Sequence, residues 1–114
     1  MQKTFLDIRA SLFLPYLSEC MCATGVDSKK AHDFIFKLKY PDDACLACFV
    51  KCSATKVGFF DSNGNPLHLD SLGALAPNVS QERIDYCNGT VQGVRDLCRK
   101  TFMYSKCITA TLIN

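Results

Sequence analysis

Cysteine is the residue that most constrains how this chain can fold. Eight cysteines are distributed over 114 residues, and three of them fall within the segment CLACFVKC at 45–52. Cytosolic domains of this size seldom use so many cysteines, whereas small secreted domains use disulfides to compensate for a limited core. The cysteine content therefore predicts a disulfide-stabilised protein that is secreted into an oxidising, extracellular environment.

Two other features bear on this location. Asn-x-Ser/Thr sequons begin at Asn78 and Asn88, and they are compatible with a secretory route. The first ten residues, MQKTFLDIRA, mix charged and apolar residues and lack the apolar core and cleavage site of a signal peptide. We expect Met1 to stand directly before a mature chain.

Length and charge restrict the functional classes. Residues 1–114 are enough for one domain and too few for a second. A net charge of +2 is too small and too scattered for a nucleic-acid surface, so no nucleic-acid partner is expected. No apolar run has the length needed for membrane insertion.

The first half of the chain shows a helical period. From residue 4 to 22, apolar residues recur every three or four positions: Phe5, Ile8, Leu12, Tyr16 and Cys20. Pro15 is expected to kink or divide this first helix, and Gly25 to end it. Asp27 or Ser28 then caps a second helix. The segment 41–43, Pro-Asp-Asp, predicts the start of a third helix that runs to about Val57.

The second half begins with the turn-forming segment DSNGNP at 61–66. Its first residues resemble an EF-hand loop, but Pro66 and Leu72 stand where glycine and glutamate are required, so calcium binding is not expected. Leu69, Leu72 and Leu75 form a short helical face. Two further helices are predicted, one from near Ser80 to the Asn-Gly pair at 88–89 and one over about 96–112. The fold class is therefore all-α, with about six short helices joined by disulfides.

Helical geometry indicates how the cysteines are directed. Cys45, Cys48 and Cys52 share one stripe of the third helix and are expected to bond to other helices. Cys98 and Cys107 are nine residues apart and lie on opposite sides of the last helix, so they should reach different neighbours.

Metal and redox chemistry do not fit the pattern. A zinc site needs converging ligand pairs, whereas this chain has a single CxxC, and His32 and His68 lack a second histidine at ligand spacing. A thioredoxin-like site needs a parallel sheet, which is not predicted. No metal and no cofactor are expected. The residues alone leave about a hundred disulfide pairings open.

The order of six cysteines resembles a known signature. It runs Cys20, Cys48-x3-Cys52, Cys87 and Cys98-x8-Cys107, and it is similar to that of insect odorant-binding proteins, the family that includes pheromone-binding proteins. Three segments extend the resemblance over nearly the whole chain: CMCATGV at 20–26, FFDSNGNPLHLDSL at 59–72 and CRKTFMYSKC at 98–107.

The resemblance implies a disulfide pairing, since the family joins its first cysteine to the third, the second to the fifth and the fourth to the sixth. On this chain the implied bridges are Cys20–Cys52, Cys48–Cys98 and Cys87–Cys107.

Cys22 and Cys45 are additional to the family pattern. Because Cys45 shares a stripe with Cys52, we expect a fourth bridge between Cys22 and Cys45. The exchanged pairing, Cys22–Cys52 with Cys20–Cys45, remains an alternative.

The resemblance also implies a function: a secreted carrier that binds odorants, pheromones or fatty-acid-like molecules in an internal apolar pocket. A domain held by disulfides tolerates the energetic cost of a cavity better than one held by packing alone. Apolar residues near the bridged helices are candidates for the wall, with core packing as the competing interpretation for each: Phe5, Ile8, Leu12, Phe49, Val57, Phe59, Phe60, Leu69, Leu72, Leu75, Val79, Ile84, Phe102, Met103, Ile108 and Leu112.

Polar groups are sparse in the predicted pocket. Tyr16, Tyr86, Tyr104 and Ser105 are the candidates for discriminating a polar ligand group. Histidine titrates near neutral pH, but His32 and His68 have no evident partners, and a structural role is expected over a pH switch.

Two other functional classes, an enzyme and an interaction protein, are alternatives to a carrier. An enzyme is not expected, because His32-Asp33 lacks the cysteines and glycine-rich loop of secreted phospholipases, and no serine nucleophile motif is present. The alternative is a salivary or haemolymph interaction protein on the same scaffold that sequesters amines or host factors. For the carrier, the expected partners are a small apolar molecule and, indirectly, a membrane receptor, with the protein a monomer or weak homodimer.

Overall fold

The described part of the chain is helical. The computed structural model describes the backbone of residues 5–66 and 79–110, and the side chains of residues 7–66 and 79–110. These residues form six α-helices: α1 (Phe5–Phe13), α2 (Leu17–Thr24), α3 (Ser28–Lys37), α4 (Ala44–Val57), α5 (Gln81–Thr90) and α6 (Leu97–Ala110). A 3-10 turn, Leu14–Tyr16, joins α1 to α2. The all-α prediction is confirmed; within the described ranges, extended pairing is limited to one isolated bridge between Phe60 and Pro66.

Proline and glycine act at the first two predicted boundaries. Pro15 lies in the 3-10 turn and divides the predicted first helix into α1 and α2. Gly25 then ends α2 with a left-handed φ of 69°, a conformation that glycine adopts without strain. The Asp27 side chain accepts a hydrogen bond from the Lys30 N–H and caps α3.

Side-chain caps also set the starts of the later helices. α4 begins at Ala44, three residues after the predicted Pro41, because the Asp43 carboxylate accepts the Leu46 N–H at 2.8 Å. Ser80 accepts the Arg83 N–H and caps α5, which continues through the predicted break at 88–89 to Thr90. The predicted helical face of Leu69, Leu72 and Leu75 lies outside the described residues.

Three disulfides connect the helices as the family resemblance implied. Cys20–Cys52 joins α2 to α4, Cys48–Cys98 joins α4 to α6, and Cys87–Cys107 joins α5 to α6. The prediction that Cys98 and Cys107 reach different neighbours is confirmed. Helices α4 and α6 therefore form the central pair, each held to a further helix by a second bridge.

The predicted fourth bridge is wrong, because Cys22 and Cys45 are both free and exposed. Side chains two positions apart on a helix differ in direction by about 200° around the helix axis. Cys22 therefore faces solvent, whereas Cys20 faces α4. Cys45 lies about 10 Å along the α4 axis from Cys52, whereas Cys22 lies only about 3 Å along the α2 axis from Cys20. Cys22 and Cys45 are therefore not at the same level when Cys20 is bonded to Cys52. The formation of Cys20–Cys52 also excludes the exchanged pairing.

The core lies around α4. Leu46, Phe49 and Val50 are completely buried on this helix, and Phe34 and Ile35 of α3 are buried against them. Val91, which directly follows α5, and Phe102 of α6 belong to the same buried cluster. No helix within the described ranges has the length and apolar character needed to cross a membrane.

Candidate ligand-binding site

Six aromatic rings form a continuous network in the interior, which we call the aromatic cluster: Phe13, Phe34, Tyr40, Phe49, Phe59 and Phe102. Phe34 is the centre, with ring centroids 5.5 Å from Phe13, 5.3 Å from Tyr40 and 6.1 Å from Phe49. Tyr40 extends the network to Phe102 at 5.4 Å. These contacts are edge-to-face, an arrangement that the ring quadrupoles favour. The cluster therefore joins α1, α3, α4 and α6 through one apolar surface.

A charged side chain lies inside this apolar region. Arg9 of α1 is only 4% exposed. Its guanidinium carbon is 4.4 Å from the Phe34 ring centroid and 5.0 Å from that of Phe13. Nη2 donates to the Phe34 carbonyl and to the Tyr40 hydroxyl, both at 3.3 Å, whereas the buried Nε has no hydrogen-bond partner among residues 5–66 and 79–110.

Sequence reasoning did not identify Arg9 or Tyr40. A signal for Arg9 was present, because Phe5, Arg9 and Phe13 are spaced four residues apart and share one helical face. Tyr40 gave no such signal, since it lies between α3 and α4. Its hydroxyl is 2.8 Å from Thr109 Oγ1 of α6, so the polar chain runs from Arg9 through Tyr40 to Thr109.

The predicted wall residues fall into three groups. The buried ones are Phe49, Phe60, Val79, Phe102 and Ile108. The half-buried ones are Ile8, Leu12, Val57, Phe59, Ile84 and Met103. The side chain of Phe5, together with Leu69, Leu72, Leu75 and Leu112, lies outside the described residues.

The predicted polar groups differ in their surroundings. Tyr104 is buried, and its ring lies 5.4 Å from that of Phe60. Burial raises the pKa of the Tyr104 hydroxyl, and the negative charge of Asp85 adds to the shift. Tyr86 is 59% exposed and carries Arg83 over its ring. Tyr104 therefore lies in the interior, whereas Tyr86 lies at the surface.

His32 lies at the surface. It is exposed, its ring is stacked with Phe36, and Nδ1 is 2.8 Å from the Ser28 carbonyl oxygen one turn earlier. His68 lies outside the described residues.

An open cleft of about 560 Å³ lies between Tyr40, α5 and α6. Its lining combines aromatic and apolar side chains with charges: Tyr40, Asp42, Tyr86, Thr90, Arg99, Phe102, Met103, Lys106, Cys107 and Ala110. Arg99 and Asp42 form an ion pair across it at 3.6 Å. Of the predicted wall residues, Phe102 and Met103 line this cleft, and Phe102 also belongs to the aromatic cluster.

Metal ligands are not gathered anywhere in the ranges 5–66 and 79–110. Within them, no three side chains of His, Cys, Asp or Glu come together in a way that would hold a metal ion. The described interior brings together apolar contacts, edge-to-face aromatic pairs and the buried cation of Arg9.

Comparisons with known proteins show which sequences this chain resembles. The model of the PBP/GOBP family matches residues 3–111. General odorant-binding protein 99b of Drosophila melanogaster is 29% identical over 79 residues, which are 62% of this chain and 53% of that protein. The chain thus spans about half the length of this curated relative. No solved structure matches at a comparable level. The match over nearly the whole chain shows that this protein belongs to the PBP/GOBP family.

Proposed function

We propose that this protein is a secreted carrier that binds a small hydrophobic molecule in an internal apolar pocket. The observation that carries the proposal is the family match over residues 3–111, which includes all six cysteines of the three bridges. The PBP/GOBP family is a family of binding proteins, which favours binding over catalysis. Its members are secreted, and three disulfides fit an extracellular protein.

The bridges support this function physically. They hold α2, α4, α5 and α6 together by covalent bonds, so that stability does not depend on a completely filled interior. The apolar aromatic cluster provides surface for an apolar guest. A ligand that buries about 300 Å² of apolar surface would gain roughly 7 kcal/mol before the costs of association, which corresponds to modest affinity and loose selectivity.

The alternative is an interaction protein on the same scaffold that sequesters amines or host factors, and the described interior bears on the amine-binding part of it. An ammonium group needs a carboxylate close to it, and a buried cation repels it. The buried charge at the aromatic cluster is the guanidinium of Arg9. This observation favours a neutral or acidic guest over an amine.

A displacement assay tests the carrier function. An environment-sensitive naphthylamine probe is bound to the purified protein, and a panel of volatile alcohols, esters, terpenes and fatty acids is titrated against it. We expect several members of the panel to displace the probe. If none of them does so, the carrier function is contradicted.

A matched pair of variants tests where the ligand binds. Phe49→Leu changes a completely buried ring of the aromatic cluster, whereas Phe36→Leu makes the same change at a ring that is 41% exposed. We expect Phe49→Leu to weaken binding about threefold to tenfold because the ligand loses aromatic contact. Phe36→Leu should leave binding unchanged. Equal effects of the two substitutions would contradict an interior site.

A further inference from the structure

We propose that Arg9 binds the acidic end of the ligand, so that the preferred ligand is an apolar chain ending in a carboxylate. This inference rests on the proposed carrier function and names the ligand class and the group that selects it. Its three supports are the burial of Arg9 without a counterion among the described side chains, its unused hydrogen-bond donor, and the excess of donors over acceptors in the polar chain that joins Arg9 to Tyr40 and Thr109.

The first support is the uncompensated charge. An arginine side chain is always protonated in a protein, and a buried ion is stabilised mainly by a paired ion of opposite charge. The ion pairs among the described side chains are formed by Lys29, Lys30, Lys37, Lys56 and Arg99, and none of them includes Arg9. Two aromatic faces compensate its charge only in part.

The second support is the unused donor. Both hydrogen bonds that the structure gives Arg9 come from Nη2, and at 3.3 Å both are long. The N–H at Nε is buried and has no partner in the part of the chain that the structure describes. A carboxylate can accept two parallel hydrogen bonds from one guanidinium, and these are among the strongest in proteins. The geometry of Arg9 therefore leaves a donor that suits an oxygen anion.

The third support is the direction of the hydrogen bonds. Arginine can only donate, so the Tyr40 oxygen accepts from Arg9. The Tyr40 hydrogen is then best used toward Thr109 Oγ1, at 2.8 Å. The chain from Arg9 through Tyr40 to Thr109 thus contains more hydrogen-bond donors than acceptors. A ligand oxygen supplies the missing acceptor, whereas an ammonium group would add a further donor.

The surroundings define the rest of the ligand. Arg9 lies against Phe13 and Phe34, and its neighbours in α1 include the half-buried Ile8. An apolar chain extending from a carboxylate at Arg9 would meet the aromatic cluster. The low dielectric of such an interior strengthens the charge interaction compared with the same contact in water.

A structural role for Arg9 is the competing interpretation. Phe34 lies in the last turn of α3, where carbonyl groups lack helical partners and a cation is favourable. In this case Arg9 would stabilise α3 and have no preference between ligands. The two roles differ in their effect on the ratio of affinities for an acid and an uncharged analogue. Loss of structure weakens the binding of both ligands equally and leaves this ratio unchanged.

The test compares dodecanoate with dodecanol, which share one chain length, by displacement of the naphthylamine probe near neutral pH. For the unmodified protein we expect the acid to bind about tenfold more tightly than the alcohol, as charge-assisted hydrogen bonds predict. Arg9→Met keeps an unbranched apolar side chain and removes the charge. It should abolish the preference while dodecanol binding changes by less than about threefold.

Three further variants keep the test decisive if Arg9→Met folds poorly. Arg9→Lys retains the charge without the planar guanidinium and should keep part of the preference. Tyr40→Phe removes one hydroxyl and should change the acid-to-alcohol ratio by about twofold to threefold. Lys106→Met removes an exposed cation of the cleft and should leave the ratio unchanged.

The outcomes separate this inference from the proposed function. If neither dodecanoate, dodecanol nor any other apolar compound displaces the probe, the carrier function itself is wrong. If both compounds bind with equal affinity, or if Arg9→Met weakens them equally, Arg9 has only a structural role and the carrier function stands. If Lys106→Met abolishes the preference, the acid binds in the cleft and the assignment to Arg9 is overturned.

Discussion

The first turn of α4 and its middle differ more than the sequence of this helix indicates. In the middle, Phe49 is completely buried and Cys48 is bridged to α6. In the first turn, Cys45 is exposed and carries a free thiol, although it lies on the same stripe and only three residues before Cys48. The state of each cysteine is therefore decided by what lies opposite it, and the regular spacing along α4 does not determine it.

The position of α2 explains this difference. The contacts between α2 and α4 include the Cys20–Cys52 bridge and an ion pair of 2.6 Å between Glu19 and Lys56. Glu19 precedes Cys20 in α2, whereas its partner Lys56 follows Cys52 in α4. The two helices are therefore antiparallel at this point. From Cys20, α2 continues for only about 6 Å before it ends at Thr24, whereas Cys45 lies about 10 Å from Cys52. Helix α2 ends before it reaches the level of Cys45.

The largest expected effect comes from opening the disulfide bridges. Cys48→Ser with Cys98→Ser opens a link between residues 50 positions apart and should lower the free energy of unfolding by about 4 kcal/mol. Cys87→Ser with Cys107→Ser opens a link of 20 positions and should cost about 3 kcal/mol, since a shorter loop restricts the unfolded chain less. Denaturant unfolding of both double variants measures the difference. A larger loss of unfolding free energy for the Cys87/Cys107 variant would contradict the dependence on loop length.

An intermediate effect is expected at the start of α4. The ammonium group of Lys30, at 2.6 Å, and the Leu46 N–H lower the pKa of Asp43. Because its pKa is lower in the folded protein, Asp43 stabilises the fold above the pKa of the unfolded chain, about 4, and this stabilisation is lost as the pH falls further. Asp43→Asn retains a capping side chain without the charge, so its unfolding free energy should fall less steeply with acidification.

Denaturant unfolding at a series of pH values between neutral and acidic measures this change. Asp33 and Asp61 also have lowered pKa values, so the variant should keep part of the dependence on pH. Asp42→Asn is the matched control, since it removes a neighbouring carboxylate that is 93% exposed and does not cap α4. Parallel stability curves for Asp43→Asn and the unmodified protein would show that the Lys30 contact does not stabilise the fold.

The smallest effect is expected at the two free cysteines. Cys22→Ser and Cys45→Ser, alone or together, should change the free energy of unfolding by less than about 0.5 kcal/mol, because both side chains are exposed and unbridged. In the native protein both thiols should react with a water-soluble maleimide. Peptide mapping that recovers a Cys22–Cys45 disulfide from the native protein would restore the fourth bridge and remove the difference between the bridged and the free cysteines.

Much of the fold could be predicted because its signals are local. Asp27, Ser80 and Gly25 act on backbone groups within a few residues of themselves, and each was identified at a helix end. Asp43 was also identified near the start of a helix. Its side chain caps α4, so the helix begins at the following residue, and the Pro-Asp-Asp segment alone did not show this. The three bridges followed from the family resemblance, since the residues alone left their pairing open.

The candidate site could be predicted only in part. Apolar residues such as Phe49 and Phe102 were candidates for the pocket wall because they lie near the bridged cysteines, and both are buried in the aromatic cluster. Arg9 and Tyr40 were missed because their roles depend on contacts between residues far apart in sequence, 25 positions for Arg9 with Phe34 and 69 for Tyr40 with Thr109. A charged residue in an amphipathic helix is ordinarily interpreted as exposed.

By itself, the sequence determined that this chain is an all-α, disulfide-bonded protein, because helical period, capping residues and cysteine spacing are properties of short segments. Only the tertiary structure decided that Cys22 and Cys45 remain free and that Arg9 is enclosed by aromatic rings. The reason is that burial and bridging depend on which surface lies opposite a residue, and this is set by how helices of particular lengths and directions pack together.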